Sequence, residues 1–105
     1  MLTEIETFIF GKNIAHDLIE LVKMSDHWII SVSSIDEPEN VKRYSFYHIQ
    51  DEYEEIHARE DEEIEFPLPI IGFDSKELRD GNWMFCLNVG DVEWGFVSKW
   101  PSSVG

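Results

Sequence analysis

Along the chain, short apolar runs alternate with polar stretches, and the spacing inside each run predicts its element. Residues 5–10 (IETFIF) read as a first strand, ended by Gly11. Asn13 is a suitable N-cap for a helix over 14–24. There Ile14, Leu18, Leu21 and Val22 follow i, i+4, i+7, i+8 and make one stripe. Asp17 near its start and Lys23 near its end suit the helix dipole. After Ser25-Asp26 the period becomes two: Trp28, Ile30 and Val32 alternate with Ile29, Ser31 and Ser33, a strand with one wetter face. DEPEN (36–40) is a turn signal, and 44–49 (YSFYHI) is a further strand, apolar on both sides.

In 64–71 (IEFPLPII), Pro67 and Pro69 stand two apart, so both missing N–H groups fall on one side. Only an edge strand tolerates that. Residues 74–81 (DSKELRDG) read as a capped helical turn followed by an Asp-Gly turn. Residues 82–89 and 92–100 flank Gly90-Asp91 and predict a tight hairpin. Its register pairs Val89 with Val92, Leu87 with Trp94 and Phe85 with Phe96, all on one face. Asn88, Cys86, Met84, Glu93, Gly95 and Val97 make a mixed opposite face. Pro101 stops the last strand. The expected fold is α+β: a mostly antiparallel, twisted sheet with an N-terminal helix packed on it.

Length and composition make that fold self-sufficient. A chain of 105 residues reads as one domain, 1–105, and a domain of this size buries roughly two-thirds of its unfolded surface. Its 43% hydrophobic and 13% aromatic content, with four tryptophans, calls for a real core, an adhesive surface, or both. The net charge of -14 and pI near 4.4 argue against nucleic acid and anionic membranes as partners and favour basic proteins. Cys86 is the single cysteine, so no internal disulfide or multi-cysteine metal site is expected. With neither a secretory signal nor an apolar run of about 18–20 residues, the chain is expected to be cytosolic.

Much of the charge sits in one segment. DEYEEIHAREDEEIEF (51–66) holds nine acids and one arginine in its first fifteen residues, a net -8. The candidate partner-binding residues are Asp51, Glu52, Tyr53, Glu54, Glu55, Glu60, Asp61, Glu62, Glu63 and Glu65. Tyr44, Phe46, Tyr47, Tyr53 and Phe66 flank or interrupt the run and could add contact area beside the charge. Chemical signatures are sparse. No G-x-S-x-G, phosphate-binding glycine loop, H-E-x-x-H or C-x-x-C occurs. Cys86 sits mid-strand with nothing to lower its pKa, so it reads as a small hydrophobe. His57 with Glu54 and Glu60 is the best divalent-metal set, but a self-repelling run supplies poor second-shell support. A solvated acid cluster also lacks the desolvated member that acid–base catalysis needs. No enzyme activity, cofactor or metal is expected.

A small, single-domain, strongly acidic, Trp-rich α+β chain with this acidic run and the aromatic hairpin NWMFCLNVGDVEWGFVSKW resembles the immunity proteins of bacterial toxin–immunity systems. These include the contact-dependent growth inhibition immunity proteins and the acidic nuclease inhibitors. The resemblance is one of type over the whole length and carries no residue-by-residue motif. It implies a cytoplasmic antitoxin that binds a basic cognate toxin domain, often a nuclease, as a monomer in a 1:1 complex. Two other readings fit the same residues: a nucleic-acid-mimicking inhibitor of another basic protein, and a small ligand-binding domain.

Overall fold

The computed structural model describes residues 2–12, 15–59 and 63–104. One helix, α1 (Glu4–Phe10), precedes nine strands: β1 (His16–Lys23), β2 (His27–Ser34), β3 (Lys42–Tyr47), β4 (Gln50–Ile56), β5 (Leu68–Pro69), β6 (Gly72–Glu77), β7 (Asn82–Asn88), β8 (Val92–Lys99) and β9 (Ser102–Val104). The chain is thus mostly antiparallel sheet with one short N-terminal helix. The strands form two sheets rather than one, ordered β5-β1-β2-β3-β9 and β4-β8-β7-β6.

Aromatic rings join the two sheets. Phe46 of the five-stranded sheet meets Phe85 and Phe96 of the four-stranded sheet edge-to-face, with centroids 5.2 and 5.4 Å away, and stacks near Phe73 at 6.1 Å. Trp28 lies 4.6 Å from Phe96. These rings are almost fully buried and form the core with Ile30, Val32, Leu87 and Trp94.

The sheets also share strands. β3 runs into β4 through His48-Ile49, where His48 takes φ 59°. Its partner β8 runs into β9 through Trp100-Pro101. Gln50 pairs with Val97 and Ser45 with Ser102, so one register persists through the corner. Elsewhere Ile70 donates to the His16 carbonyl in one sheet, while Ile71 donates to the Asn88 carbonyl in the other. The chain therefore changes sheets between these two residues. Because β6 continues β5 and β9 continues β8, the hydrogen-bonded ladder closes on itself.

Three sequence expectations are corrected. Residues 5–10 are helical, not a strand. Thr3 and Glu6 form a reciprocal capping box: the Glu6 N–H donates to Thr3 Oγ1 (3.3 Å) and the Thr3 N–H to Glu6 Oε1 (3.0 Å). Ile5 and Ile9, one turn apart, are buried in the core. Of the expected helix over 14–24, the described residues form no helix; 16–23 form β1. A bulge between Leu18 and Glu20 leaves Leu18 opposite Val32 and Leu21 opposite Ile30, so both leucines face the core three positions apart. That inserted residue mimics helical spacing. Asn13 and Ile14, the expected cap and first stripe position, lie outside the described residues. Finally, 74–77 continue β6, because pairing with β7, Phe73 opposite Leu87 and Ser75 opposite Phe85, outweighs the local helical preference. Asp80 (φ 61°) and Gly81 (φ 76°) do make the turn that follows.

The hairpin register is as expected: Phe85 pairs with Phe96 and Leu87 with Trp94, and the Val89 N–H donates to the Val92 carbonyl. Of 64–71, only Leu68–Pro69 form a strand, at the edge of the five-stranded sheet against Asp17 and Leu18. The helix seals another edge, its Thr3 hydroxyl donating to the Phe73 carbonyl (2.7 Å) and its Ile5 N–H to Ser75 Oγ (3.1 Å). Among the described residues, no helix is long and apolar enough to cross a membrane.

Candidate functional site

The first part of the acidic segment is a strand. Four carboxylates in seven residues disfavour pairing, so β4 needs anchors. Tyr53 is the first. It lies opposite Gly95 on the outer face of the four-stranded sheet, and its ring covers that glycine so closely that a Cβ there would fall within it. The glycine is therefore required for close approach, and the ring replaces the missing side chain. The phenol donates to Glu93 Oε2 (3.0 Å) and lies 3.0 Å from Cys86 Sγ. Trp94 is the second anchor. Its ring is buried in the core, and its indole Nε1–H donates to Glu54 Oε1 at the sheet rim (3.0 Å). Between Asp51 and Tyr53 the register shifts, leaving Glu52 as the bulged residue.

These contacts tune the groups involved. Hydrogen bonding to Cys86, then burial and the bond to Glu93, push the Tyr53 phenol well above its ordinary pKa, so it stays protonated and donating. Burial raises the Cys86 thiol as well, which keeps it uncharged at neutral pH. Next to them, Glu55 stands directly opposite Glu93, a like-charge cross-strand pair. Ion pairs between described residues join Asp26 with His27, and Glu55 with His57 at 3.7 Å.

The candidate residues divide accordingly. Asp51, Glu52, Glu54 and Glu55 are exposed along β4, with Glu54 also holding Trp94. Tyr53 is half-buried and anchors its own strand, with one face of its ring laid on Gly95. Glu63 and Glu65 are exposed on the connection from β4 to β5. Glu60, Asp61 and Glu62 lie outside the described residues. Of the flanking aromatics, Tyr44 and Phe46 belong to the core, whereas Tyr47 and Phe66 are each 44% exposed. Glu93, Cys86, Gly95 and Trp94 support the acidic strand without standing near it in sequence. The one sequence signal for them was a glycine in the middle of an aromatic strand.

β4 occupies one end of its sheet. It pairs with β8, and no described strand pairs with its other side. Of the set Glu54, His57 and Glu60, Glu60 lies outside the described residues, Glu54 accepts from Trp94, and His57 Nε2 lies 3.7 Å from a Glu55 carboxylate oxygen. Among the described residues no pocket opens, and no three His, Cys, Asp or Glu side chains are grouped to hold a metal ion. Comparison of the chain with protein-family models, curated proteins and solved structures gives no match.

Proposed function

We propose that the chain is a non-enzymatic inhibitor of the immunity-protein type, which binds and neutralises a basic cognate toxin domain through β4 and the acidic connection that follows it. One observation carries the reading: Asp51, Glu52, Glu54 and Glu55 are displayed together, exposed, on a strand at the end of a sheet. A carboxylate row of this kind complements the cationic surface with which a nuclease holds phosphates, and it speeds encounter at low salt. The Glu55–Glu93 opposition adds support. A like-charge pair destabilises a sheet, and such local conflicts collect where a surface serves binding.

The experiment is capture from the native cell at low and high salt, followed by co-expression of the captured domain with this chain. The reading expects a basic domain that arrests growth alone and is silenced by the chain. Replacing Asp51, Glu52 and Glu55 with lysine, with Glu54 left to hold Trp94, should slow association and abolish protection while the fold persists. An acidic or non-toxic partner overturns the proposal, as does protection unaffected by the three replacements.

A further inference from the structure

We propose that the open side of β4 accepts a strand of the basic partner, so that the partner extends the four-stranded sheet by main-chain hydrogen bonds. The inference rests on the preceding reading and names the mode of contact at the same site. It starts from the backbone rather than from the carboxylates. The His57 N–H donates to the Asp91 carbonyl (2.7 Å), on the β8 side. In an antiparallel ladder successive residues direct their N–H and C=O groups to opposite sides. Glu55 and Tyr53 therefore bond towards β8, and Glu54 and Ile56 turn their N–H and C=O groups to the open side. There no described strand receives them. The neighbouring free edge is different: β9 presents only Ser102, Ser103 and Val104, without charge. The outer edge of β6 is occupied by the start of α1.

Charge decides the occupant. An exposed edge is a template for any extended chain, including another copy of itself. Two copies of β4 pairing edge to edge would set the row Asp51, Glu52, Glu54, Glu55 against the same row, so self-association is opposed. A strand carrying lysine or arginine at alternate positions directs them all to one face, where on the outer side they meet Glu55, while its backbone meets the groups of Glu54 and Ile56. Main-chain bonds then supply affinity and the carboxylates supply selectivity, as in other cases of strand addition. Ile56, 61% exposed, offers an apolar contact at the end of the row.

The test uses the whole protein and two capped nonapeptides that alternate lysine and valine. One is unmodified. The other is N-methylated at three consecutive central residues, which blocks both of its edges at unchanged charge. Calorimetry is expected to show the unmodified peptide binding at least about tenfold more tightly. Amide exchange should slow at Glu54 and Ile56 on binding, with Ser103 unchanged. Ile56→Pro keeps every carboxylate and removes an N–H that points to the open side; it should bind the two peptides alike. If that variant does not fold, the peptide pair alone still decides. Equal affinity of the two peptides for the native chain overturns strand addition while leaving the acidic-surface reading intact. Absence of binding by either peptide, with protection from the toxin unaffected by the lysine replacements, overturns both. A homodimer that Ile56→Pro dissolves places a second copy on the edge and also overturns the inference.

Discussion

Gly95→Ala tests the joint that fixes the acidic strand to the sheet. A Cβ at position 95 would coincide with the Tyr53 ring, so the ring must leave. A tyrosine side chain buries about 150–250 Å² when fully enclosed. With one face of the ring on Gly95, roughly 80 Å² is lost to water on displacement, which is about 2 kcal/mol at ~25 cal/mol per Å². The hydrogen bond from the phenol to Glu93 goes with it, about 1 kcal/mol at this half-exposed position. Against that stands a gain of about 0.5–1 kcal/mol from replacing a mid-strand glycine by alanine. The net expectation is a loss of about 2 kcal/mol. Tyr53→Ala alone should lose about 3 kcal/mol by the same account. In the Tyr53→Ala background the obstacle is gone, and Gly95→Ala should be neutral or slightly stabilising. The double-mutant cycle thus has a coupling energy of about 2–3 kcal/mol. Urea unfolding, followed by tryptophan fluorescence and far-UV circular dichroism, measures all four corners. A Gly95→Ala penalty below about 0.5 kcal/mol, or one of equal size with and without Tyr53, would refute the packing account.

Two further outcomes follow from the same face. Tyr53 has a folded pKa raised above the ordinary phenol value of 10.0, so above that pH the unfolded chain binds fewer protons and stability falls as pH rises. The contribution is complete below pH 10 and declines above it; Tyr53→Phe should flatten the decline, as read from urea midpoints between pH 8 and 11. Glu55→Thr removes the repulsion opposite Glu93 and should raise stability by a few tenths to about 1 kcal/mol while weakening capture of the basic partner; thermal unfolding that shows no gain, together with unchanged binding, would count against a functional role for the pair.

What the sequence disclosed depended on whether periodicity survived in it. The hairpin register was legible, with each strand ending one residue earlier than expected, because Gly90-Asp91 fixes the turn and Phe85, Leu87, Trp94 and Phe96 alternate without interruption. The edge position of Pro69 was legible from missing donors alone, although the strand there is only Leu68–Pro69. β1 was not, because its bulge sets Leu18 and Leu21 three apart and imitates a helical stripe. The true helix was hidden for the opposite reason. With only seven residues it shows little period, and its evidence lies in the reciprocal bonds of Thr3, just before the apolar run, and Glu6 within it. The acidic segment announced its charge but not its form. That Asp51 to Glu55 make a strand depends on Gly95 and Trp94, some forty residues away along the chain, and no local pattern reports such a partner.

The continuous ribbon of β3–β4 against β8–β9 also bears on how the chain is made. On a ribosome β4 emerges first, and β8, with which it pairs, begins at residue 92. At about 5–20 residues per second, β4 waits for several seconds as a nascent segment with both flanks unmatched. Its negative charge keeps neighbouring nascent copies apart during that interval. The carboxylates proposed to meet a basic partner thus also guard the nascent chain against premature clumping.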